Sequence, residues 1–186
     1  ILIMKLSKST NKAIGILSFA LFIFLLPAKA QKNPSLSDPE VAHVAVVANQ
    51  IDIDYAAIAK KKSANKAVLE FAETMARDHK AVIGQAEALV TKLGVTPKDN
   101  AVSKKLLSDA AKTRKMLTAK SKTTFDKAYI DNEVAYHKAV IAAVEGLLIP
   151  ETENAELKSL LQKVVPALKA HLAHAEMVQK QFEVKK

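Results

Sequence analysis

The sequence predicts an all-α protein built on four long amphipathic helices. Apolar residues recur at three-and-four spacing over long stretches, which is the pattern of a helix with one buried face. Glycine and proline are scarce, at 4 and 6 of 186 residues, and aromatic residues make up only 5%. Such a composition favours helices over a β sandwich or barrel. The length suffices for one domain with a substantial core.

Residues 1–30 have the pattern of a cleaved signal peptide. Three lysines fall within the first twelve residues, residues 13–26 are an apolar run, and Ala28 and Ala30 supply small side chains before Gln31. The apolar run is shorter than the roughly 20 residues that a membrane span needs. We therefore expect cleavage before Gln31 and no transmembrane span in the mature chain. The expected location is periplasmic or secreted, with peripheral envelope association as the alternative.

Composition excludes several classes of function. Cysteine is absent, which removes disulfides, thiolate metal sites and cysteine catalysis. The net charge of +9 owes nearly half its value to four lysines in residues 1–30, and the remaining basic residues are interspersed with acids. The sequence has no basic patch with interleaved aromatics, so nucleic-acid binding is not predicted. It also has no nucleophile–base signature and no phosphate-binding loop, so it gives no indication of an enzyme. An envelope protein partner or a homo-oligomer is left open.

Capping signals place the first two helices. Residues 31–37 read as a flexible lead-in to a domain at 38–184. The first helix is predicted at 38–62, because a capping serine, a first-turn proline and acidic residues mark its start. The second is predicted at 64–93, where a following glycine suits a C-terminal cap. The short connection predicts that these two helices pack antiparallel.

The rest of the chain predicts a crossover and a second pair of helices. A shorter helical segment at about 100–118 precedes long helices at about 122–148 and 152–183. At about 1.5 Å per residue, the short segment can travel nearly the length of the others. The predicted architecture is therefore a ferritin-like antiparallel four-helix bundle with a helical crossover between helices two and three.

Three histidines lie near the middle of predicted helices, at positions where the spacing calls for an apolar residue. His79 occupies the slot between Met75 and Val82, and His137 and His171 have similar apolar neighbours. A buried imidazole needs a hydrogen-bond partner, a metal or a trapped water. These rings are the strongest indication of a functional site in the chain.

Carboxylates on the first three long helices can join these rings. Heights along the bundle can be counted in residues from the connection between the first two helices. This count places four residues near one level: Asp52, Glu73, Glu133 and His171. His79 and His137 fall roughly 9 Å further along at helical rise. Imidazole with carboxylate suits a first-row transition metal, namely Fe, Mn, Zn or Cu. The predicted ligand set comprises Asp52, Glu73, His79, Glu133, His137 and His171.

Two alternatives to a metal site remain. In the first, the same residues form a buried polar network that fixes helix register, within a non-catalytic envelope or stress-related interaction module. In the second, the protein is a di-metal enzyme of the oxidase type. Such centres use a Glu-x-x-His motif on two helices, and the fourth helix instead reads His171-Leu172-Ala173-His174. That difference argues against the enzyme.

Four motifs together resemble a known family. They are FAETMARDH at 71–79, FDKAY at 125–129, VAYH at 134–137 and PALKAHL at 166–172. In this order they resemble the exported bacterial ferritin-like domain of unknown function whose members are commonly labelled predicted outer membrane proteins. The resemblance covers about 40–183. It implies a ferritin-like fold and an envelope location, but no established activity. The positions it implies are Asp52 or Asp54, His79, Asp126, Tyr129, His137 and His171.

Overall fold

The computed structural model describes residues 35–183, and every regular element within that range is helical. The predicted all-α class is confirmed. The predicted signal peptide, residues 1–30, and most of the predicted lead-in lie outside the described residues. The elements are α1 (Asp38–Lys62), α2 (Lys66–Leu93), α3 (Ala101–Ala119), α4 (Lys122–Ala143), a π-helical turn (Val144–Leu148), α5 (Ile149–Glu151) and α6 (Ala155–Glu183).

Local capping chemistry sets the ends of the first two helices. The Glu40 carboxylate accepts hydrogen bonds from the Ser37 backbone N–H at 3.0 Å and the Ser37 hydroxyl at 2.7 Å. At the start of α2, the Asn65 side-chain oxygen accepts from two backbone N–H groups of the first turn. Gly94 ends α2 in the left-handed conformation, with φ 63°. Glycine adopts this conformation without steric cost, so the predicted C-terminal cap is confirmed.

The four longest helices contact one another in a ring, in the order α1, α2, α6, α4. Paired residues fix the directions. Lys60 of α1 contacts Glu73 of α2, whereas Asp52, nearer the start of α1, contacts His79, further along α2. Equivalent pairs make α2 and α6, α6 and α4, and α4 and α1 antiparallel. Each long helix is thus antiparallel to both of its neighbours.

Helix α3 carries the chain from one end of this ring to the other. The loop before it is held to the start of α1, where the Asn100 side-chain amide donates to the Glu40 carbonyl at 3.1 Å. Further along, Arg114 pairs with Asp54 at 3.0 Å, and Lys62 donates to the Thr118 carbonyl. These contacts show that α3 runs beside α1 in the same direction.

The end of α4 differs from the continuous helix predicted to residue 148. Residues Val144–Leu148 form a π-helical turn, and α5 then continues to Glu151. The Ile149 N–H bonds to the Val144 carbonyl five residues back. Pro150 lies in the first turn of α5, where its missing N–H is tolerated, so it does not end the helix at 148 as predicted. Single π-helical turns of this kind occur frequently beside functional sites.

The apolar core has two parts with polar residues between them. One part includes Met75, Val134 and Ala175, and the other includes Ile141 and Leu168. On α4 and α6, a buried histidine lies between the residues of the two parts. The polar layer is therefore enclosed by apolar packing above and below it. Among residues 35–183, no helix combines the length and apolar character that crossing a bilayer requires.

Candidate metal centre

Five polar residues are almost fully removed from solvent at the middle of the four-helix ring. Asp52 comes from α1, His79 from α2, Glu133 and His137 from α4, and His171 from α6. Their exposed fractions are 0%, 4%, 0%, 1% and 8%. Burying this many titratable groups costs free energy unless each one gains a partner. The arrangement of their ring nitrogens and oxygens shows which partners are available.

The three imidazole rings face one another. Ring centroids lie 5.7 Å apart for His79 and His137, 5.2 Å for His79 and His171, and 5.6 Å for His137 and His171. One ring nitrogen from each histidine lies within 4.8 Å of the other two. Asp52 Oδ2 is 3.1 Å from His79 Nε2 and 3.4 Å from His137 Nε2. We call His79, His137, His171 and Asp52 the histidine cluster.

The outer nitrogen of His79 is fixed by an amide. His79 Nδ1 lies 2.7 Å from the side-chain oxygen of Asn49, one turn before Asp52 on α1. An amide oxygen only accepts hydrogen bonds, so Nδ1 carries the proton. In the neutral ring the inner nitrogen, Nε2, is then bare. It has no hydrogen-bond partner, although Asp52 Oδ2 lies close to it.

His137 has the same arrangement with a different outer acceptor. Its Nδ1 lies 2.9 Å from the backbone carbonyl of Glu133, one turn earlier on α4. The carbonyl only accepts, so Nδ1 donates and Nε2 of the neutral ring is bare. His137 Nε2 is buried and without a hydrogen-bond partner. Two bare nitrogens thus face the same oxygen, Asp52 Oδ2.

His171 is held through its other nitrogen. His171 Nε2 donates to Asp78 Oδ2 at 3.1 Å, which leaves Nδ1 buried and unpartnered. Asp78 also accepts from Arg77 at 2.8 Å. Burial opposes ionisation of Asp78, but the hydrogen bonds from Arg77 and His171 outweigh burial and lower the pKa of this carboxyl. An ionised Asp78 is a strong acceptor for the outer N–H of His171.

Burial sets the protonation states at the centre. It lowers the pKa of His137 and of His171 below the usual 6.5, against the attraction of nearby carboxylates. Both rings are therefore neutral at pH 7. Burial, together with the negative charge of Asp52, raises the pKa of Glu133 well above its usual 4.5. Glu133 Oε2 lies 3.6 Å from His137 Nδ1, and neither of its oxygens has a hydrogen-bond partner.

These groups have the residue types and spacing to hold a metal ion. One nitrogen from each of the three histidines lies within 4.8 Å of the other two, and Asp52 Oδ2 lies beside the nitrogens of His79 and His137. Asp52, Glu133 and His137 form a second group of potential ligands that shares two residues with the histidine cluster. Outer acceptors that fix the tautomer of each ring are what metal-binding histidines usually have. The arrangement therefore suits cation binding better than hydrogen bonding among its own members.

The structure brings together five of the six predicted ligands. Glu73 is the exception, and its prediction as a ligand is wrong for the described structure. Its side chain is 64% exposed and pairs with Lys60 on the surface. Six residues separate it from His79, which at about 100° per residue turns it well away from the buried face. The predicted 9 Å offset between two levels is also absent, because Asp52 Oδ2 contacts both His79 and His137.

Two residues of the site were not predicted as part of it. Asn49 lies one turn from Asp52, and that spacing was an available signal. Asp78 pairs with its neighbour Arg77, but it also reaches His171 across the contact between α2 and α6. Only the packing of α6 against α2 reveals that second bond.

An apolar cavity of about 430 Å³ adjoins the histidine cluster. All four cluster residues line it, together with aliphatic side chains from α1, α2, α3, α4, the π-helical turn and α6. Its volume lies in the range of small-molecule sites.

Comparison with known proteins gives a family but no activity. A family model described as "Domain of unknown function (DUF4142)" matches residues 25–178, which is most of the chain and includes every residue of the histidine cluster. No curated protein matches the chain, and no solved structure does.

Proposed function

The chain belongs to the family of the domain of unknown function DUF4142, and because that description assigns no activity, we propose a function from the geometry of the cluster: it binds a first-row transition metal ion. One observation carries the proposal. Three buried imidazoles each donate one N–H outward, to Asn49, the Glu133 carbonyl and Asp78. In its neutral form, each ring then has a bare nitrogen left for the interior of the bundle.

The donor set indicates which ions fit. Imidazole nitrogen with a carboxylate oxygen suits Fe, Mn, Zn or Cu, whereas Mg²⁺ and Ca²⁺ prefer sites made of oxygen alone. The neutral imidazoles of His137 and His171 need not lose a proton to bind a cation at pH 7. A divalent ion would also neutralise the buried charge of Asp52. Three nitrogens and one oxygen leave room for a further ligand at the ion.

A structural polar network is the competing interpretation. In that case the same residues would only lock helix register, and the protein would be a non-catalytic envelope or stress-related module. The bare nitrogens argue against it, because a network built for stability would place a donor opposite each acceptor. Asp52 Oδ2 faces two such nitrogens at 3.1 and 3.4 Å without a hydrogen bond to either.

A di-metal centre is the second candidate, supported by the overlapping group of Asp52, Glu133 and His137. A second ion there would have to displace the proton that burial favours on Glu133. We therefore propose one ion per chain and assign no catalytic residue. Metal titration separates the two candidates, because a single-ion site binds one equivalent of metal per chain and a di-metal centre binds two.

We also propose a ferritin-like fold and export from the cytoplasm. The ring of antiparallel helices and the crossover along α1 support the fold. The basic start, apolar run and small residues of 1–30 support export to the periplasm. N-terminal sequencing of protein from a periplasmic fraction tests the second point. A mature chain that begins at Gln31 is expected, and an intact residue 4–30 segment on cytoplasmic protein would contradict it.

The deciding experiment is metal analysis with matched histidine variants. Protein purified without chelator or added metal should contain close to one Fe, Mn, Zn or Cu per chain. Metal should also raise the melting temperature of chelator-treated protein, because it binds the folded state alone. His79→Gln and His171→Gln should lose the metal and this shift. His174→Gln is the control, because His174 lies on the same helix as His171 but packs against Phe71, outside the cluster.

The contrary result is equally clear. An ion-free protein whose melting temperature is unaffected by all four metals would support the structural network. In that case His79→Gln would change stability alone.

A further inference from the structure

The cavity beside the histidine cluster is long in the direction of the helices. On α4 and the π-helical turn its lining extends from Asn132 to Leu148, and on α6 from Leu157 to His171. Beyond the histidine cluster, it covers roughly 16 Å from His137 to Leu148 and roughly 21 Å from His171 to Leu157 at helical rise. Carbon–carbon bonds of about 1.5 Å advance an extended chain by roughly 1.3 Å each, so about twelve carbons fit the shorter of these two lengths.

The cavity has a polar part and an aliphatic part. The polar part contains the histidine cluster, whose four residues are all at least nine-tenths buried, and the lining continues past it to Tyr55 and Asn132. Away from the cluster the walls are mainly aliphatic, as at Leu147, which belongs to the π-helical turn. Water is a poor occupant of the aliphatic part, because an apolar wall offers it few hydrogen bonds. The shape and polarity suit a molecule with one polar head and one apolar tail.

The charge in the polar part selects the head group. A divalent ion, three imidazoles bound through their bare nitrogens and the carboxylate of Asp52 would together carry one positive charge. Asp78 also lines the cavity, but its charge is paired with that of Arg77. An anionic head would therefore neutralise the ion with its ligands and supply the further ligand at the ion. A carboxylate oxygen is a common ligand for the proposed metals.

Small residues line the places where the cavity reaches the surface. Ala81 of α2, Ala139 of α4 and Ala167 of α6 are exposed and contribute to its lining. Side chains this short leave gaps between neighbouring helices. A thin, flexible chain can pass through such gaps more readily than a broad ring system.

We propose that this cavity binds a linear monocarboxylate of roughly twelve carbons, with its carboxylate at the metal and its chain along the aliphatic walls. This inference rests on the proposed metal site, because the ion supplies the positive charge. It extends that proposal by naming the class of ligand. Two buried atoms without a hydrogen-bond partner, Nδ1 of His171 and Nε2 of His79, belong to residues that line the polar part of the cavity.

The test uses the full mature chain loaded with zinc and titrated calorimetrically with dodecanoate below its micelle concentration. One dodecanoate per chain should bind to the zinc-loaded protein. Chelator-treated protein should bind at least tenfold more weakly, and so should dodecanol with the zinc-loaded protein, because either change removes the ion–carboxylate contact. Equal binding of dodecanoate with and without zinc, or equal binding of dodecanol, would overturn the assignment of the head group.

Two alanines on α2 provide matched variants. Ala86 is 4% exposed and lines the cavity two turns from His79, whereas Ala88 is exposed. Ala86→Phe should fill the cavity and weaken dodecanoate binding at least tenfold, with one zinc per chain retained. Ala88→Phe should leave both unchanged. Ala86→Leu serves in place of Ala86→Phe if the larger side chain prevents folding.

The outcomes separate this inference from the metal site itself. A protein that binds no zinc or other metal overturns both. A zinc-loaded protein that does not bind dodecanoate, or an Ala86 variant that binds it as well as the native chain, overturns only the ligand proposal.

Discussion

Asn49 determines which nitrogen of His79 faces the centre of the molecule. Its side-chain oxygen lies 2.7 Å from His79 Nδ1, and His79 Nε2 then faces Asp52 Oδ2 at 3.1 Å. Without that acceptor, the His79 proton is free to sit on Nε2 and donate to Asp52. The amide on α1 therefore holds the ring on α2 in the tautomer that can bind a cation.

The first prediction follows from this bond. Asn49→Leu keeps a side chain of similar size but removes the acceptor for His79 Nδ1. We expect metal affinity to fall by roughly 10- to 100-fold, the usual loss when an outer partner of a metal-binding histidine is removed. Competitive titration with a fluorescent chelator measures it. Gln50→Leu is the control, because Gln50 is exposed and bonds to Asp54. Identical affinities for the two variants would contradict the role of Asn49.

Asp78 gives the second prediction. Asp78→Ala removes the acceptor that holds His171 Nε2, and we again expect a loss of roughly 10- to 100-fold in metal affinity. Arg77→Ala removes only the exposed partner of Asp78, so its effect should be several-fold smaller. The same chelator titration compares them. If Arg77→Ala lowers the metal affinity as much as Asp78→Ala does, the affinity depends on the ion pair with Arg77 and not on the bond to His171.

Helix periodicity and capping residues made most of the fold predictable. The bounds of α1 and the end of α2 match the predictions because Ser37, Asn65 and Gly94 act locally, within one turn of the backbone they satisfy. The π-helical turn at Val144–Leu148 was not predictable in this way. A widened turn leaves the apolar spacing nearly intact, so the sequence pattern there still reads as an ordinary helix.

The site was predictable only where a residue interrupts an apolar stripe. His79, His137 and His171 were found because a polar ring at such a position is costly. Asn49 and Asp78 lie at the edge of their helices, and their partners come from other helices, so their roles depend on packing. Glu73 was misassigned because its height along the helix was counted without its angle around the axis.

The pH dependence of metal binding is the third prediction. Because burial lowers the pKa of His137 and His171 below 6.5, both rings are neutral at pH 7 and protons compete little with the metal. Once the pH falls below these lowered pKa values, each ring that must lose a proton should weaken binding by about tenfold per pH unit. Affinities measured from pH 5 to 8 check this. A steady tenfold loss per unit already between pH 8 and 7 would show that the rings are protonated there.

Two glycines of the region around α2 give the fourth prediction, which concerns the fold. Gly94 has φ 63°, so Gly94→Ala should lower the free energy of unfolding by about 1 kcal/mol. Gly84 is exposed inside α2, and an added Cβ would meet no atom within 4 Å. Gly84→Ala should therefore raise the free energy of unfolding by about 0.5–1 kcal/mol. Urea denaturation measures both. A stabilising Gly94→Ala would show that α2 does not end at Gly94.

The last prediction concerns Glu133 in chelator-treated protein. Burial and the charge of Asp52 raise the folded-state pKa of Glu133 well above the 4.5 of the unfolded chain. Between these two pKa values the folded state holds one proton more than the unfolded state, so the free energy of unfolding falls as the pH rises. Glu133→Gln removes this dependence, because the amide does not ionise. The variant should have the same melting temperature as the native chain near pH 4.5 and should melt several degrees higher than the native chain at pH 8.

Glu73→Gln is the matched control for this comparison, because Glu73 is exposed and its hydrogen bond to Lys60 lowers its pKa. The sign is then reversed: the ionised carboxylate contributes stability above pH 4.5, and that contribution is lost as the pH falls. Glu73→Gln should thus melt no higher than the native chain at pH 8. Melting curves that stay parallel for native and Glu133→Gln protein from pH 4.5 to 8 would mean that Glu133 titrates normally. The buried carboxyl would then already be ionised at neutral pH, and the second ligand group of Asp52, Glu133 and His137 would be open to a metal ion.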